Sequence, residues 1–175
     1  NQSHIRVMNG NLCPGGAIGK INTNKILKKI VRVYTSEDAM ITALKNNEIK
    51  KEHAVIIRYQ GPKGGPGMPE MLKPSSALVG AGLAEDVPLL TDGRFSGGSH
   101  GILIGHIVPE AYDNGPIASL NNDDTIEIDT IQNKISILTN KPLYKKYSEH
   151  YMGNSYLKKY TKLVSDASSG CITNY

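Results

Sequence analysis

The sequence predicts a mixed α/β fold in which short strands alternate with helices. An apolar run at 54–59 is typical of a buried strand, and Ser36 followed by two acids is typical of a helix start. Residues 125–137 alternate apolar and polar side chains around Gln132-Asn133, which predicts a hairpin. These elements fit a mixed sheet or closed β-barrel with peripheral helices, and the alternation also fits an open α/β sheet.

The N-terminal part supplies two strands and the first helix. Residues 5–10 place alternating apolar residues before an Asn-Gly pair, which predicts a short strand and a turn. β-Branched residues at 30–34 predict a second strand. Ser36 can then cap a helix, because its hydroxyl accepts free backbone amides and because Glu37 and Asp38 favour the positive end of the helix dipole.

The middle of the chain is rich in glycine. Eleven of the 18 glycines lie within 61–105, in two loops separated by a short predicted helix near Pro74. A predicted strand at 87–90 leads into the second loop. Beyond the hairpin, apolar residues three positions apart predict a helix at about 154–167.

The composition is that of a globular chain. Of 175 residues, 39% are hydrophobic and 21% are charged. No apolar run approaches the roughly 18 residues of a membrane span, and the N-terminus lacks the layout of a signal peptide. The net charge of +4 comes from scattered lysines without an aromatic array, so nucleic acid is not an expected partner. The chain does not begin with Met, as expected for a fragment or a processed product.

The first glycine loop, residues 61–70, reads Gly-Pro-Lys-Gly-Gly-Pro-Gly-Met-Pro-Glu. Its prolines stiffen the backbone, and its glycines allow a ligand to approach closely. The spacing matches neither the Walker loop nor the Gly-x-Gly-x-x-Gly motif. The loop ends in Glu70, whose carboxylate suits a hard cation such as Mg²⁺. Taken alone, Glu70 is more often an ordinary acid at a helix N-terminus.

The second glycine loop, residues 91–101, reads Thr-Asp-Gly-Arg-Phe-Ser-Gly-Gly-Ser-His-Gly. Ser96 lies in a glycine turn, but the nucleophile motif Gly-x-Ser-x-Gly fails because Arg94 replaces its first glycine. A triad of Ser96, His100 and Asp92 is disfavoured, since residues four apart rarely form one.

The glycines after Ser96 give this loop a second interpretation. The amides of Gly97 and Gly98 can turn toward one point and form an anion-binding nest. A tight turn capped by its serines explains the same residues without any ligand. The second loop by itself leaves both interpretations open.

Together the two loops closely resemble those of the dihydroxy-acid and 6-phosphogluconate dehydratase family. Shorter matches lie at 10–12, 38–39, 109–111 and 160–165. The resemblance covers nearly the whole chain but only the family's C-terminal domain, which implies that 1–175 form a swivelling β-barrel with flanking helices. It also ranks the barrel above the open sheet. The family's N-terminal α/β domain, which carries the cluster cysteines and most metal ligands, is absent from this sequence.

The second loop points to one branch of this family. Phe95 and the run at 97–100 are similar to the branched-chain biosynthetic members, whereas sugar-acid and phosphogluconate members typically carry Met in place of Phe95. The resemblance implies a hydro-lyase that converts branched 2,3-dihydroxy acids to 2-keto acids in valine, isoleucine and leucine biosynthesis. The alternatives are a sugar-acid or 6-phosphogluconate dehydratase, and a non-catalytic anion-binding module.

The resemblance also implies a role for the polar groups of both loops. Ser96 is expected to take the C2 proton, with its alkoxide and the substrate held by the amides of Gly97 and Gly98. Glu70 is expected to bind Mg²⁺, which would hold the substrate carboxylate and C2 oxygen. His100 is the alternative base, because histidine titrates near neutral pH.

The remaining expectations concern cofactors and partners. An iron–sulfur cluster is implied, with its ligands outside this chain, since Cys13 and Cys171 are far apart and lack close metal-binding partners. Expected partners are the dihydroxy acid, the N-terminal domain of the same protein and a second subunit in a homodimer. The expected compartment is the cytoplasm, or an organelle matrix or stroma in a eukaryote. The fragment alone is expected to be inactive.

Overall fold

The computed structural model describes residues 4–138 and 155–173. Within these residues the chain forms ten strands: β1 (Ile5–Met8), β2 (Ala17–Lys20), β3 (Ile26–Tyr34), β4 (His53–Ile57), β5 (Glu70–Met71), β6 (Leu89–Thr91), β7 (Arg94–Phe95), β8 (Leu103–Gly105), β9 (Thr125–Asp129) and β10 (Lys134–Ile137). The same residues form four α-helices: α1 (Glu37–Lys45), α2 (Lys73–Gly80), α3 (Pro116–Ser119) and α4 (Ser155–Leu163). None of the helices in these ranges has the length and apolarity needed to cross a membrane.

Eight strands form one mixed sheet that closes almost completely into a barrel. Their order is β1-β2-β8-β6-β4-β3-β9-β10, with parallel pairing between β3, β4, β6 and β8 and antiparallel pairing elsewhere. The edge strands meet where the Asn9 amide donates to Asn133 O at 2.9 Å and the Ile135 amide donates to Asn9 O at 2.7 Å. The prediction of a mixed, barrel-like fold with peripheral helices is therefore confirmed.

The apolar run in β4 is buried on both faces of the sheet. Ala54 and Ile56 belong to the inner core of the barrel, whereas Val55 and Ile57 belong to an outer cluster that also includes residues of α1 and α2. Full burial of one such isoleucine stabilises the fold by about 1.5–3 kcal/mol. A parallel strand covered on both sides has no solvent face, which explains why its sequence is apolar without interruption.

Several predicted elements are confirmed in position and in packing. Ser36 caps α1 by accepting a hydrogen bond of 3.2 Å from the backbone amide three residues on. In the hairpin of β9 and β10, Ile126 lies opposite Ile137 and Ile128 lies opposite Ile135. All four isoleucines are buried, so the alternation at 125–137 correctly identified the inward face.

Other predictions differ from the structure at the ends of elements. Helix α4 ends at Leu163 rather than near 167, because Val164 instead forms a β-bridge with Thr173. Its predicted start at Asn154 lies outside the described residues. The strand predicted at 87–90 is displaced to β6, while β2 and β8 were not predicted. These two strands have four and three residues and each contains a glycine, so they carry too little alternation to be recognised.

Candidate active site

The ends of the two glycine loops meet in a small parallel ribbon. Strand β5 pairs with β7, so that Glu70 lies opposite Arg94 and Met71 lies opposite Phe95. The Ser96 amide continues this pairing by donating to Met71 O at 3.2 Å. Glu70, at the end of the first loop, therefore lies in the same two-stranded ribbon that Ser96 directly follows.

The Glu70 carboxylate is available to a ligand. Its side chain is 54% exposed, and Oε1 lies 3.8 Å from Arg94 Nη1, a distance typical of a weak surface ion pair. Arg94 is itself anchored, because its Nε donates to Met68 O at 2.7 Å. In the described ranges, no three His, Cys, Asp or Glu side chains are grouped closely enough to hold a metal ion. Glu70 can therefore supply one carboxylate ligand to a cation, without two further side chains of these types beside it in those ranges.

A buried glutamate from a distant segment holds the first loop. Glu110 is 2% exposed and accepts hydrogen bonds from the Lys63 amide at 3.0 Å and the Gly64 amide at 2.8 Å. Burial raises the pKa of Glu110 to about 7, although these two hydrogen bonds act in the opposite direction. A Cβ added at Gly61 would lie 2.6 Å from the Glu110 carboxylate, so a larger residue there would have to displace this buried group.

Asp92 connects the second loop to the first. It is fully buried, and its carboxylate accepts hydrogen bonds from the amides of Tyr59 at 3.1 Å, Gln60 at 2.9 Å and Ala111 at 2.9 Å. Burial raises the pKa of Asp92, while these hydrogen bonds act to lower it. Because its oxygens are directed at backbone amides, Asp92 serves as an anchor and is not available to a catalytic triad.

The turn after Ser96 leaves its glycine amides uncovered. The Ser99 amide closes the turn by donating to Ser96 O at 3.0 Å. Gly97 and Gly98 are exposed, neither has a positive φ, and a Cβ at either would meet nothing within 4 Å. Within residues 4–138 and 155–173 their amides donate no hydrogen bond. Both amides are therefore accessible to an anion, as the nest interpretation requires.

A pocket of about 200 Å³ opens beside this turn, between β1, β2 and β8. The apolar part of its wall consists of four side chains: Ile5, Ile18, Phe95 and Leu103. The polar part consists of three: Lys20, Ser96 and His106. A mostly apolar wall with a few polar groups is typical of sites that bind small molecules.

The histidine in this pocket is His106 rather than His100. His100 is exposed, does not line the pocket and has no hydrogen bond to Ser96 in the described part of the chain. The backbone of His106 is left-handed, with φ 55, and its amide donates to Gly93 O at 2.8 Å. Burial and the charge of Arg94 lower the pKa of His106, which favours the neutral imidazole. Sequence analysis missed His106, because no motif indicates a left-handed backbone at a residue other than glycine.

The two cysteines do not fit an iron–sulfur cluster. Cys13 is buried in the barrel core, and burial raises its pKa to about 12, whereas a metal requires the thiolate. Cys171 lies beside the first loop, with Sγ 3.8 Å from Met68 Sδ. The described residues therefore offer this chain no cluster site of its own.

The barrel thus carries a mostly apolar pocket beside a serine turn with two uncovered amides. The family described as dihydroxy-acid/6-phosphogluconate dehydratase C-terminal matches residues 1–171, and the chain belongs to this family. Its similar relatives include a dihydroxy-acid dehydratase of Francisella tularensis subsp. tularensis (strain WY96-3418), 47% identical over 98% of this chain. The mitochondrial dihydroxy-acid dehydratase of Saccharomyces cerevisiae is 51% identical over 97%, and the mitochondrial dihydroxy-acid dehydratase astD of Aspergillus terreus is 52% identical over 98%. The chain spans 32%, 31% and 30% of these relatives, respectively, or about a third of their length.

Proposed function

We propose that this chain is the C-terminal domain of a dihydroxy-acid dehydratase, and that the intact protein converts branched 2,3-dihydroxy acids to 2-keto acids by loss of water. The observation that carries the proposal is the β5–β7 ribbon, which joins Glu70 to the serine turn beside the pocket. A cation ligand and a base that act on adjacent atoms of one small substrate must lie close together. The ribbon supports this arrangement, because it places Glu70 opposite Arg94, two residues before Ser96.

Ser96 is the base in this proposal. A serine hydroxyl is a very weak acid, so its alkoxide can form only where donors and positive charges stabilise it. The uncovered amides of Gly97 and Gly98 are such donors. Ser96 Oγ, as the alkoxide, takes the C2 proton, and the electron pair of that C–H bond forms the C2–C3 double bond as the C3 hydroxyl departs. The proton held by Ser96 balances the departing hydroxide, which leaves as water and restores the alkoxide. The resulting enol loses its C2 hydroxyl proton to solvent, gains a proton at C3 and becomes the 2-keto acid.

Glu70 would contribute one carboxylate oxygen to a bound Mg²⁺, with the remaining ligands supplied from outside the described residues. When bound, the cation would supply positive charge beside the substrate carboxylate and C2 oxygen. We assign the ligands of the iron–sulfur cluster to the N-terminal domain of the intact protein. No step in this chain is assigned to the cluster, because Cys13 and Cys171 do not fit it.

The pocket supports a branched substrate over a phosphorylated one. Four apolar side chains form much of its wall, and they suit the methyl or ethyl branches of a valine or isoleucine precursor. A 6-phosphogluconate molecule would bring a dianion and several hydroxyls, each of which needs a polar partner when desolvated. Only Lys20 supplies a positive charge among the residues that line this pocket. We also propose that the intact protein is a homodimer. Its proposed compartment is the cytoplasm or, in a eukaryote, an organelle matrix or stroma.

Substrate turnover by the intact protein tests this proposal. The protein, supplied with iron, sulfide and Mg²⁺, is assayed with 2,3-dihydroxy-3-methylbutanoate, with 6-phosphogluconate and with an unphosphorylated sugar acid. We expect the branched acid to be the preferred substrate. Preference for either of the others would contradict the substrate class. Binding of all three acids without turnover would instead support the non-catalytic anion-binding module.

A further inference from the structure

Lys20 holds the turn that follows Ser96. It is the last residue of β2, and its Nζ donates to Gly97 O and to Ser99 O, each at 2.7 Å. These carbonyls are 77 and 79 residues away in sequence, so the contact depends on the pairing of β2 with β8. Two short hydrogen bonds from an ammonium group are stronger than neutral ones and fix the orientation of both peptide groups.

The orientation of one peptide determines where the next amide points. In a trans peptide the C=O and the following N–H point in opposite directions. The Gly97–Gly98 peptide is trans, since the only cis bond in the described residues is Val108–Pro109. Because Gly97 O faces Lys20, the amide of Gly98 is directed away from Lys20. Lys20 therefore sets the direction of one of the two uncovered amides of the turn.

Lys20 also places an uncompensated charge in the pocket. Its partners are carbonyl oxygens, and it forms no salt bridge within the described ranges. An ammonium has three donors, of which two are used by the turn. The pocket wall includes both Lys20 and Ser96, so this charge lies on the side where an alkoxide or a carboxylate would form or bind.

We infer that Lys20 is a positioning residue for the proposed dehydration: it orients the Gly97–Gly98 peptide and adds positive charge beside Ser96. This inference rests on the proposed function. In that reaction the ammonium favours the Ser96 alkoxide through its field, because both residues line the same pocket, while the two hydrogen bonds keep the turn that carries Ser96 in one conformation. A purely structural lysine would stabilise the turn without affecting the chemistry of Ser96.

The test uses the intact protein that contains this chain. Lys20→Met removes the charge and both hydrogen bonds to the turn. Lys20→Arg keeps a cation with several donors. Lys29→Met is the matched control, because Lys29 on β3 also donates to a backbone carbonyl, Lys51 O at 2.6 Å, but is not part of the pocket. Each variant is assayed for kcat, for KM and for the pH dependence of kcat/KM with 2,3-dihydroxy-3-methylbutanoate. Hydrogen exchange of the peptide covering 96–101 is measured by mass spectrometry.

We expect Lys20→Met to lower kcat about 100-fold, the effect of removing one preorganised donor, with little change in KM. The rising limb of its pH profile should move to higher pH by about one unit, because a nearby positive charge favours the ionised base. Within 96–101, exchange of the hydrogen-bonded amides of Ser96 and Ser99 should become about tenfold faster as the turn opens more often, whereas the uncovered amides of Gly97 and Gly98 should not change. Lys20→Arg should restore kcat to within about tenfold of the wild type, and Lys29→Met should match the wild type throughout.

Two results would overturn the inference. One is faster amide hydrogen exchange in Lys20→Met while kcat and the rising limb of the pH profile of kcat/KM stay unchanged. This result would mean that the contact is structural only. The other is unchanged exchange across 96–101, which would show that Lys20 does not hold the turn. If Lys20→Met does not fold, Lys20→Gln takes its place, since it keeps a donor and loses the charge. Should the wild type lack dehydratase activity, the proposed function fails, while the exchange measurement still decides whether Lys20 holds the turn.

Discussion

Glu110 should make the stability of this domain depend on pH in an unusual direction. Its carboxyl is buried, and burial raises its folded-state pKa to about 7 from an ordinary value of 4.5. Between these two values the folded chain retains a proton that the unfolded chain has lost. Folding therefore takes up a proton, and a rise in pH through this window lowers the free energy of unfolding. Most carboxylates in folded proteins act in the opposite sense.

The size of the effect follows from the shift. A folded-state pKa of about 7, against an ordinary value of 4.5, corresponds to about 3 kcal/mol, most of which is lost between about pH 5 and about pH 8. For a chain of this length, that loss lowers the melting temperature by about 5–10 °C. Glu110→Gln has no titrating group at this position, so its stability should fall less over the same window. The slope of unfolding free energy against pH is compared between the wild type and Glu110→Gln. The difference between these two slopes is the contribution of Glu110 alone, because the other titrating groups are the same in both proteins.

The assay is thermal or urea unfolding of the purified chain at a series of pH values. Absolute stability at one pH is not informative, because the substitution also changes a hydrogen bond. The two carboxylate oxygens of Glu110 accept from the Lys63 and Gly64 amides, and glutamine has an NH2 donor in place of one of these oxygens. Glu52→Gln, at an exposed position, is the control and should follow the wild-type slope. Parallel curves for wild type and Glu110→Gln would refute the reasoning, since they would mean that Glu110 titrates as an ordinary carboxyl.

Three further predictions concern the proposed site. The 175-residue chain expressed alone should fold but show neither cluster absorbance nor dehydration; turnover by this material would contradict the assignment of the cluster to another domain. Glu70→Gln in the intact protein should weaken both Mg²⁺ affinity and activity, and unchanged affinity by titration would rule out Glu70 as a ligand. Ser96→Ala should lower kcat by about 10³-fold or more and abolish exchange of the substrate C2 hydrogen with solvent deuterium, whereas His100→Asn should retain both. The reverse pattern would assign the base to His100.

Local patterns in the sequence were sufficient for the elements that local physics controls. The cap at Ser36, the continuous apolar run of β4 and the hairpin at 125–137 each depend on neighbouring residues, and each was located correctly. The two glycine loops were also found, because their composition differs so strongly from the rest of the chain. Short strands such as β2 and β8 were missed because they contain too few residues to display a period.

The tertiary structure decided how those parts act together. Glu110 reaches the Gly64 amide across 46 residues, and Lys20 reaches Gly97 across 77. His106, whose backbone is left-handed, lines the pocket, and the register of β5 with β7 places Glu70 in the ribbon that leads into the serine turn. Such contacts join segments that have no local preference for each other. They are selected when the barrel closes and buried polar groups must find partners, so the sequence by itself determined the loops while the packed fold determined the site.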